Sequence, residues 1–426
     1  MKKFLALILA LVMALSLVAC GNDAPPADDG AADDGAATTA VKVGFICLHD
    51  ENSTYDLNFL NGAKEAIANL GLTEADYIIK TNVPESSECY ETAMDLVDDG
   101  CNIIFANSFG HEPYMLQAAQ EVPDVEFCHS TGTLAHTAGV PNYHNAFASI
   151  YEGRYLAGVA AGLKLNEMIE AGEITADQAK MGYVGAFTYA EVGSGYSSFY
   201  LGAKSVCPSV TMEVTFTGSW YDEALEKEGA QKLIDRDCVL ISQHADSLGA
   251  PTACENVGVP NVSYNGSTQA AGPNTYIISS RINWAPYYEY AINAVKNGQA
   301  IDADWTGTLA TGSVVLEPIN DAVAAPGTAE KIAEVKAALE AGTLHVYDCA
   351  TFTCTVSDTV NTFKAETLKL DADGYITSYM ADVDTDEAYA GDTEVIDGGV
   401  FYESKFRSAP YFDLEIDGIT RLDTKM

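Results

Sequence analysis

The sequence predicts an α/β protein: two doubly wound parallel-sheet units joined by extended segments, with a β-rich C-terminal annex. Three observations predict it. Short apolar runs of buried-strand type alternate with amphipathic stretches from residue 41 onward. The same alternation restarts after a long Ala- and Gly-rich stretch at 149–168. Beyond about residue 344 the pattern gives way to short strands and Asp-Gly turns. Strand, helix, strand, helix at such spacing demands right-handed crossovers and a parallel sheet.

In the first unit, 41–48 is a near-continuous apolar run followed by the polar loop 49–54. A helix over 57–70 places Phe59, Ala63, Ala66, Ile67 and Leu70 on one face, and Gly71 ends it. Then come a strand at 77–79, a helix at 89–97, a strand at 103–106, a helix at 112–121 and a strand at 125–128. The second unit reads as strands at 181–187, 211–216, 238–242 and 259–264, with helices at 191–207, 222–234 and 247–257 between them. Extended segments at 142–147 and 276–282 are expected to cross between the lobes. On this reading, 41–147 with about 276–312 forms an N-terminal lobe. Residues 148–275 with about 313–345, including an amphipathic helix at 329–339, form a C-terminal lobe, and 346–426 is the annex.

The first forty residues predict where the chain resides. Lys2 and Lys3 precede the apolar run 4–18, which is short for a membrane span and ends in small residues, so 1–20 reads as a signal peptide. Leu17-Val18-Ala19-Cys20 resembles the lipobox of bacterial lipoproteins, which implies cleavage before Cys20, a diacylglycerol on its thiol, and a lipid anchor on the extracytoplasmic face of the cell membrane. Residues 21–40 contain only Gly, Asn, Asp, Ala, Pro and Thr, too little apolar surface to offset the entropy of ordering, so they read as a disordered tether.

Composition narrows the function. With 61 Asp and Glu against 22 Lys and Arg, a net charge of −39, the chain repels phosphate backbones, so nucleic acid is excluded as a partner. No two of the cysteines after Cys20 have C-x-x-C spacing, which removes zinc and thioredoxin-like readings. Cys349 and Cys354 alone are spaced for a local disulfide.

Ligands of open α/β sheets bind at the carboxyl ends of the strands. The loops there offer Asp50, Asn52 and Tyr55 after the first strand, and Ser108 and Phe109 after the third. The second unit offers Phe187 and Glu191, Trp220, His244 and Asp246, and Asn265. Aromatic and hydrogen-bonding groups with almost no basic residue suit a flat, neutral ring read at its edge, not a phosphorylated ligand. His244 and Asp246 lack a third metal ligand nearby, and the aspartates at 382, 384 and 386 lack the Gly and Glu of a calcium loop. No nucleophile stands beside a base, so no enzymatic activity, cofactor or metal is expected.

Five blocks occur in order: Val83-Pro84-Glu85, Phe105-Ala106-Asn107-Ser108-Phe109-Gly110, Tyr151-Glu152-Gly153-Arg154-Tyr155-Leu156-Ala157-Gly158, Gln243-His244-Ala245-Asp246-Ser247 and Asn283-Trp284-Ala285-Pro286-Tyr287-Tyr288. Together they resemble the basic membrane protein family of ABC-transporter substrate-binding lipoproteins, over about 41–345. The resemblance implies a two-lobed type I periplasmic-binding-protein fold and a purine nucleoside or base as ligand. It also implies delivery to an ABC permease and its ATPase, and it adds Asn283 and Trp284 to the candidate contacts. A monomer is expected. Two departures touch the sugar contacts. The first loop reads Asp50-Glu51-Asn52-Ser53-Thr54-Tyr55 where nucleoside-binding members carry Asp followed by Phe-Asn, and Arg281 and Asn283-Trp284 stand where they carry Lys. A free base or other flat heterocycle fits equally. A sensor for a membrane receptor and an extracytoplasmic nucleoside-processing hydrolase are the alternatives.

Overall fold

Two sheets, parallel except for one antiparallel edge strand in the second and each wrapped by helices, carry the molecule in the computed structural model, which describes residues 40–355, 367–381, 383 and 393–424. The first sheet is built from β1 (Val43–Ile46), β2 (Tyr77–Lys80), β3 (Ile103–Ala106), β4 (Glu126–Ser130) and β5 (Tyr143–Ala148). Between them run the helices α1 (Thr54–Asn69), α2 (Ser87–Asp98), α3 (Glu112–Glu121) and the short α4 (Ala135–Ala138). The central strands β1 and β3 are apolar and buried along their whole length, because helices cover both faces of the sheet there. Side-chain caps fix the helix starts, with Ser53 accepting from the Asp56 amide and Ser86 from the Glu88 amide.

The chain then passes into the second lobe through α5 (Ile150–Glu170). There it lays down β6 (Lys180–Gly185), α6 (Ala190–Val206), β7 (Thr211–Phe216), α7 (Glu223–Ile234), β8 (Leu240–Gln243), α8 (Gly249–Val257), β9 (Asn261–Tyr264) and β10 (Tyr276–Ile282). It returns for α9 (Ala285–Lys296) and β11 (Asp304–Gly307), and leaves again for β12 (Val314–Leu316) and α10 (Thr328–Glu340). Strand orders are β11-β5-β4-β3-β1-β2 in the first sheet and β12-β10-β9-β8-β6-β7 in the second, to which Ile419–Arg421 adds a last parallel strand beside β7. The α/β class with two lobes is as expected.

Three expectations need correction. Residues 276–282 are expected in the N-terminal lobe as a crossing, but β10 pairs with β9 and β12 inside the second sheet. Residues 142–147 are likewise no crossing: β5 is an inner strand of the first sheet, and its polar members are satisfied there. His144 Nε2 lies 2.8 Å from Glu126 Oε2, and Asn145 Oδ1 accepts the Ala135 amide at 2.8 Å. The chain changes lobe at Ser149, at Asn283 and over 308–313, and these three strands of backbone are tied together. Ser149 donates its amide to Gly307 O at 2.8 Å, and Asn283 donates its amide to Ser313 O at 2.7 Å. Finally, Cys349 and Cys354 are both buried free thiols, like the other seven cysteines from Cys47 onward.

Close helix packing braces the second lobe. A Cβ on Gly158 of α5 would lie 2.0 Å from Phe199 O, and one on Gly202 of α6 would lie 2.0 Å from Tyr155 O, so only glycine lets these helices meet. Arg154 is fully buried beneath the strand ends, donating to Ser263 O at 3.0 Å and Ser242 Oγ at 2.8 Å, with Phe199 and Tyr264 rings around its guanidinium. The tail packs on the same lobe: Tyr347 stacks on Phe412 at 4.1 Å and bonds Ser194 of α6. It also reaches the first lobe, where Ser408 donates its amide to Asp304 Oδ2 at 2.7 Å. Cys20 and the acidic run at 384–392 lie outside the described residues, among which no helix is long and apolar enough to cross a membrane.

Candidate ligand-binding cleft

The carboxyl ends of both sheets face one another across a cleft, as the parallel topology requires. Twelve residues wall it, and each follows a strand. From the first lobe come Leu48 and His49 after β1, Tyr55 and Asp56 at the start of α1, Ser108 and Phe109 after β3, and Thr131 after β4. From the second come Glu191 after β6, Trp220 after β7, His244 and Asp246 after β8, and Asn265 after β9. The cavity left between these side chains is only about 20 Å³, room for about one water molecule. The lobes are closed.

Contacts across the cleft show how. The amide and hydroxyl of Thr54 both donate to Asp246 O, each at 3.0 Å. The His49 and Tyr221 rings stand 5.5 Å apart, and Phe109 meets Tyr189 at 5.2 Å. Arg281 Nη1 reaches Asn58 Oδ1 at 3.5 Å nearer the hinge.

Two carboxyl groups face each other with opposite electrostatics. Asp56 is buried, which raises its carboxyl, but bonds from His49, Asn107 and Ser53 outweigh burial and hold it below the usual range, so it is ionised. Asp246 is held well above the usual range, first by burial and then by the nearby Glu226 carboxylate, although Asn265 Nδ2 donates to its Oδ1 at 3.1 Å. His244 lies between Tyr183 OH at 3.3 Å and Glu191 Oε1 at 3.5 Å, and burial lowers its basicity. Among the described residues no Lys or Arg lines the cleft.

The structure brings together Tyr55, Ser108, Phe109, Glu191, Trp220, His244, Asp246 and Asn265. Tyr55 and Ser108 contribute surface more than hydrogen bonds, because their hydroxyls donate to Asn107 O at 2.6 Å and Glu85 Oε1 at 2.6 Å. Five other candidates lie elsewhere. Asp50 and Asn52 bond one another in a turn outside the cleft. Phe187 stands behind Trp220, edge-on at 5.1 Å. Asn283 is a hinge residue, its amide bonded to Ser313 O and its Oδ1 accepting the Ala285 amide. Trp284 is 1% exposed and stacks on Phe59 at 4.2 Å in the core of the first lobe. Leu48, Asp56 and Thr131 are not among the residues the sequence singles out, and His49, which opens the first of those loops, is not among the candidate contacts. Ser53-x-x-Asp56 is the spacing of a helix start with an acid in its first turn, and that signal identifies Asp56.

Two hinged α/β lobes closing strand ends on a cation-poor cleft define a solute-binding protein. The profile of the Bmp family, described as PnrA-like ABC transporter substrate-binding protein, matches residues 44–341, and the chain belongs to that family. It is 30% identical to a purine-binding protein of Brucella abortus over 316 residues, covering 73% of this chain and 84% of that one. It is 32% identical to a putative ABC transporter glucose-binding protein of Haloferax volcanii over 217 residues, about half (51%) of each chain. The structure of an ABC transporter solute-binding protein from Conexibacter woesei superimposes with a TM-score of 0.58 at 22% identity, covering 72% of this chain and 98% of that one. The protein is therefore an extracytoplasmic substrate-binding component of an ABC transporter, a family of solute-binding proteins and not of enzymes.

Proposed function

We propose that the cleft captures a purine base or nucleoside and delivers it to the permease, with the protein working as a monomer anchored through a lipid on Cys20. The observation that carries the reading is the pair Asp246 and Asn265 beside Trp220. A carboxyl group held neutral offers an O–H donor next to a carbonyl acceptor. Those two groups match the edge of a purine, where a ring nitrogen stands beside an N–H or amino group. Trp220 supplies a face for the ring, and the lack of cationic lining disfavours a phosphate. The 30% identical relative that binds purines supports the same choice.

Calorimetric titration of the purified protein with adenine, guanine, hypoxanthine, adenosine and glucose tests the ligand. At least one purine should bind with micromolar or tighter affinity; glucose binding with no purine response would replace the reading with a sugar carrier. The anchor is tested separately: Cys20→Ala should release the protein from membranes, and a membrane-bound variant would contradict lipidation.

A further inference from the structure

The C-terminal tail lies beyond the family-matched span 44–341 and touches both lobes. Its root is in the second. Ile419–Arg421 pairs in parallel with β7, and Asp423 accepts from Thr215 Oγ1, the Phe216 amide and Lys232 Nζ at 2.6, 2.8 and 2.7 Å. Phe412 stacks on Tyr347, whose hydroxyl bonds Ser194 of α6. From that base the segment 407–410 reaches the first lobe, where the Ser408 amide donates to Asp304 Oδ2 at 2.7 Å. Asp304 opens β11, the edge strand of the first sheet.

We propose that the tail is a strap that holds the lobes closed, with the Ser408–Asp304 bond as its clasp. The proposal rests on the hinged lobes alone and is independent of what the cleft binds. The strap is stiff: the Arg407 guanidinium donates to the carbonyl oxygens of Ala409, Pro410 and Val383 at 3.1, 2.9 and 3.3 Å, which fixes the turn at 407–410. The clasp is sealed: Ser408 is 1% exposed and the Asp304 side chain 6%, so water does not compete for the bond. It also stands away from the hinge. Gly307, tied to Ser149 where the chain changes lobe, is at the other end of β11, about 10 Å away in an extended strand. Rotation of the first lobe about that tie swings Asp304 further than a hydrogen bond tolerates. Opening therefore breaks the clasp.

The clasp is also built to release. Asp304 Oδ1 and Ser408 Oγ are buried without a hydrogen-bond partner among the described residues. Both gain water when the lobes part, which offsets some of the lost bond. A cavity of about 190 Å³ lies between Arg407, Ala409 and Pro410 of the tail and Phe109, Thr131 and Thr133 of the cleft rim, so the tail bridges the rim there without filling it.

Small-angle scattering and amide hydrogen exchange on the ligand-free protein test the strap, using Asp304→Ala, Ser408→Pro and His136→Ala. Asp304→Ala removes the acceptor, and Ser408→Pro removes the donor from the tail side. His136→Ala is the control, because His136 Nε2 shares Asp304 Oδ2 at 2.9 Å and its loss leaves the clasp in place. The Thr54 amide, bonded across the cleft to Asp246 O, reports closure directly. A hydrogen bond to a carboxylate is worth about tenfold in the ratio of open to closed protein. Asp304→Ala and Ser408→Pro should therefore expand the radius of gyration and quicken Thr54 exchange about tenfold, while β1 and β8 stay protected. His136→Ala should match the parent in both measurements. If Asp304→Ala fails to fold, Ser408→Pro decides. The parent's radius and Thr54 exchange in the folded variants, expansion in Asp304→Ala but not in Ser408→Pro, or equal expansion in His136→Ala would overturn the strap. Exchange quickened evenly through β1 and β8 would mark unfolding instead of opening and overturn it too.

Discussion

Thr54 and Asp246 lock the two lobes together: the amide and the hydroxyl of Thr54, at the start of α1, both donate to the Asp246 carbonyl oxygen, each at 3.0 Å. The same residue whose side chain faces the ligand cleft thus receives the first lobe on its backbone. Ligand recognition and closure share one loop.

Thr54→Val removes one of the two bonds and keeps the side-chain shape. A hydrogen bond of this kind contributes about 1 kcal/mol, so affinity for a cleft ligand should fall about fivefold. Calorimetry measures the affinity, and small-angle scattering should find the unliganded variant more expanded than the parent. Unchanged affinity and radius of gyration would mean that the bond does not hold the lobes.

Asp246 is held neutral by burial and by Glu226. Asp246→Asn, which keeps one acceptor and supplies an N–H donor, should therefore retain purine affinity within about fivefold. Asp246→Ala should lose roughly 1–3 kcal/mol, because ligand groups are left unpaired. Binding by the parent should also weaken as pH rises through the Asp246 pKa. Equal loss in the Asn and Ala variants would show that the ionised form grips the ligand instead.

Trp220 and Trp284 make opposite predictions. Trp220 lines the cavity, so Trp220→Ala should cost about 1–3 kcal/mol of binding with little change in melting temperature. Trp284 stacks on Phe59 in the core, so Trp284→Ala should cost about 3–5 kcal/mol of stability. Paired titrations and melting curves separate them, and reversed outcomes would exchange their roles.

That contrast marks what could be read from the sequence. Apolar patterning located β3, α3 and β7 to the residue: β3 is a continuous run buried along its length, α3 buries Met115, Ala118 and Ala119 on one helical face, and β7 alternates in its first half. It read 142–147 as extended but as a crossing between lobes, because the polar His144 and Asn145 suit an inner strand only once the fold brings Glu126 and Ala135 beside them. The cleft residues after β7, β8 and β9 were legible because strand ends in a parallel sheet converge. Asp56 was obscured because it sits two residues inside a helix, and Trp284 misled because an aromatic in a shared sequence block serves packing as readily as binding.

Stability should fall from mild acid toward alkaline pH. Burial raises Glu152 to about 6, Glu226 and Asp413 to about 7, and Glu403 to about 8. The unfolded chain releases these protons near pH 4. Between there and pH 8 the folded chain binds more protons than the unfolded one, so each unit of rising pH subtracts stability. Below about pH 4 the sign reverses as Asp50 and Asp56, held below the usual range, lose their bonds on protonation. The melting temperature should peak near pH 4 and decline to pH 8, and Glu226→Gln should flatten the decline between pH 5 and 7. A melting temperature rising steadily from pH 5 to 8 would contradict the assignment.

The central claim, that a flat ring is captured against Trp220 between closing lobes, is tested most directly by tryptophan fluorescence during titration with adenine. Trp284 is buried away from the cleft, and Trp305 sits between Tyr287 and Tyr290, so Trp220 is the emitter a cleft ligand touches. The account predicts a saturable change in emission that disappears in Trp220→Phe while calorimetry still detects binding. Adenine binding with unchanged emission in the parent, or with the same change in Trp220→Phe, would contradict it.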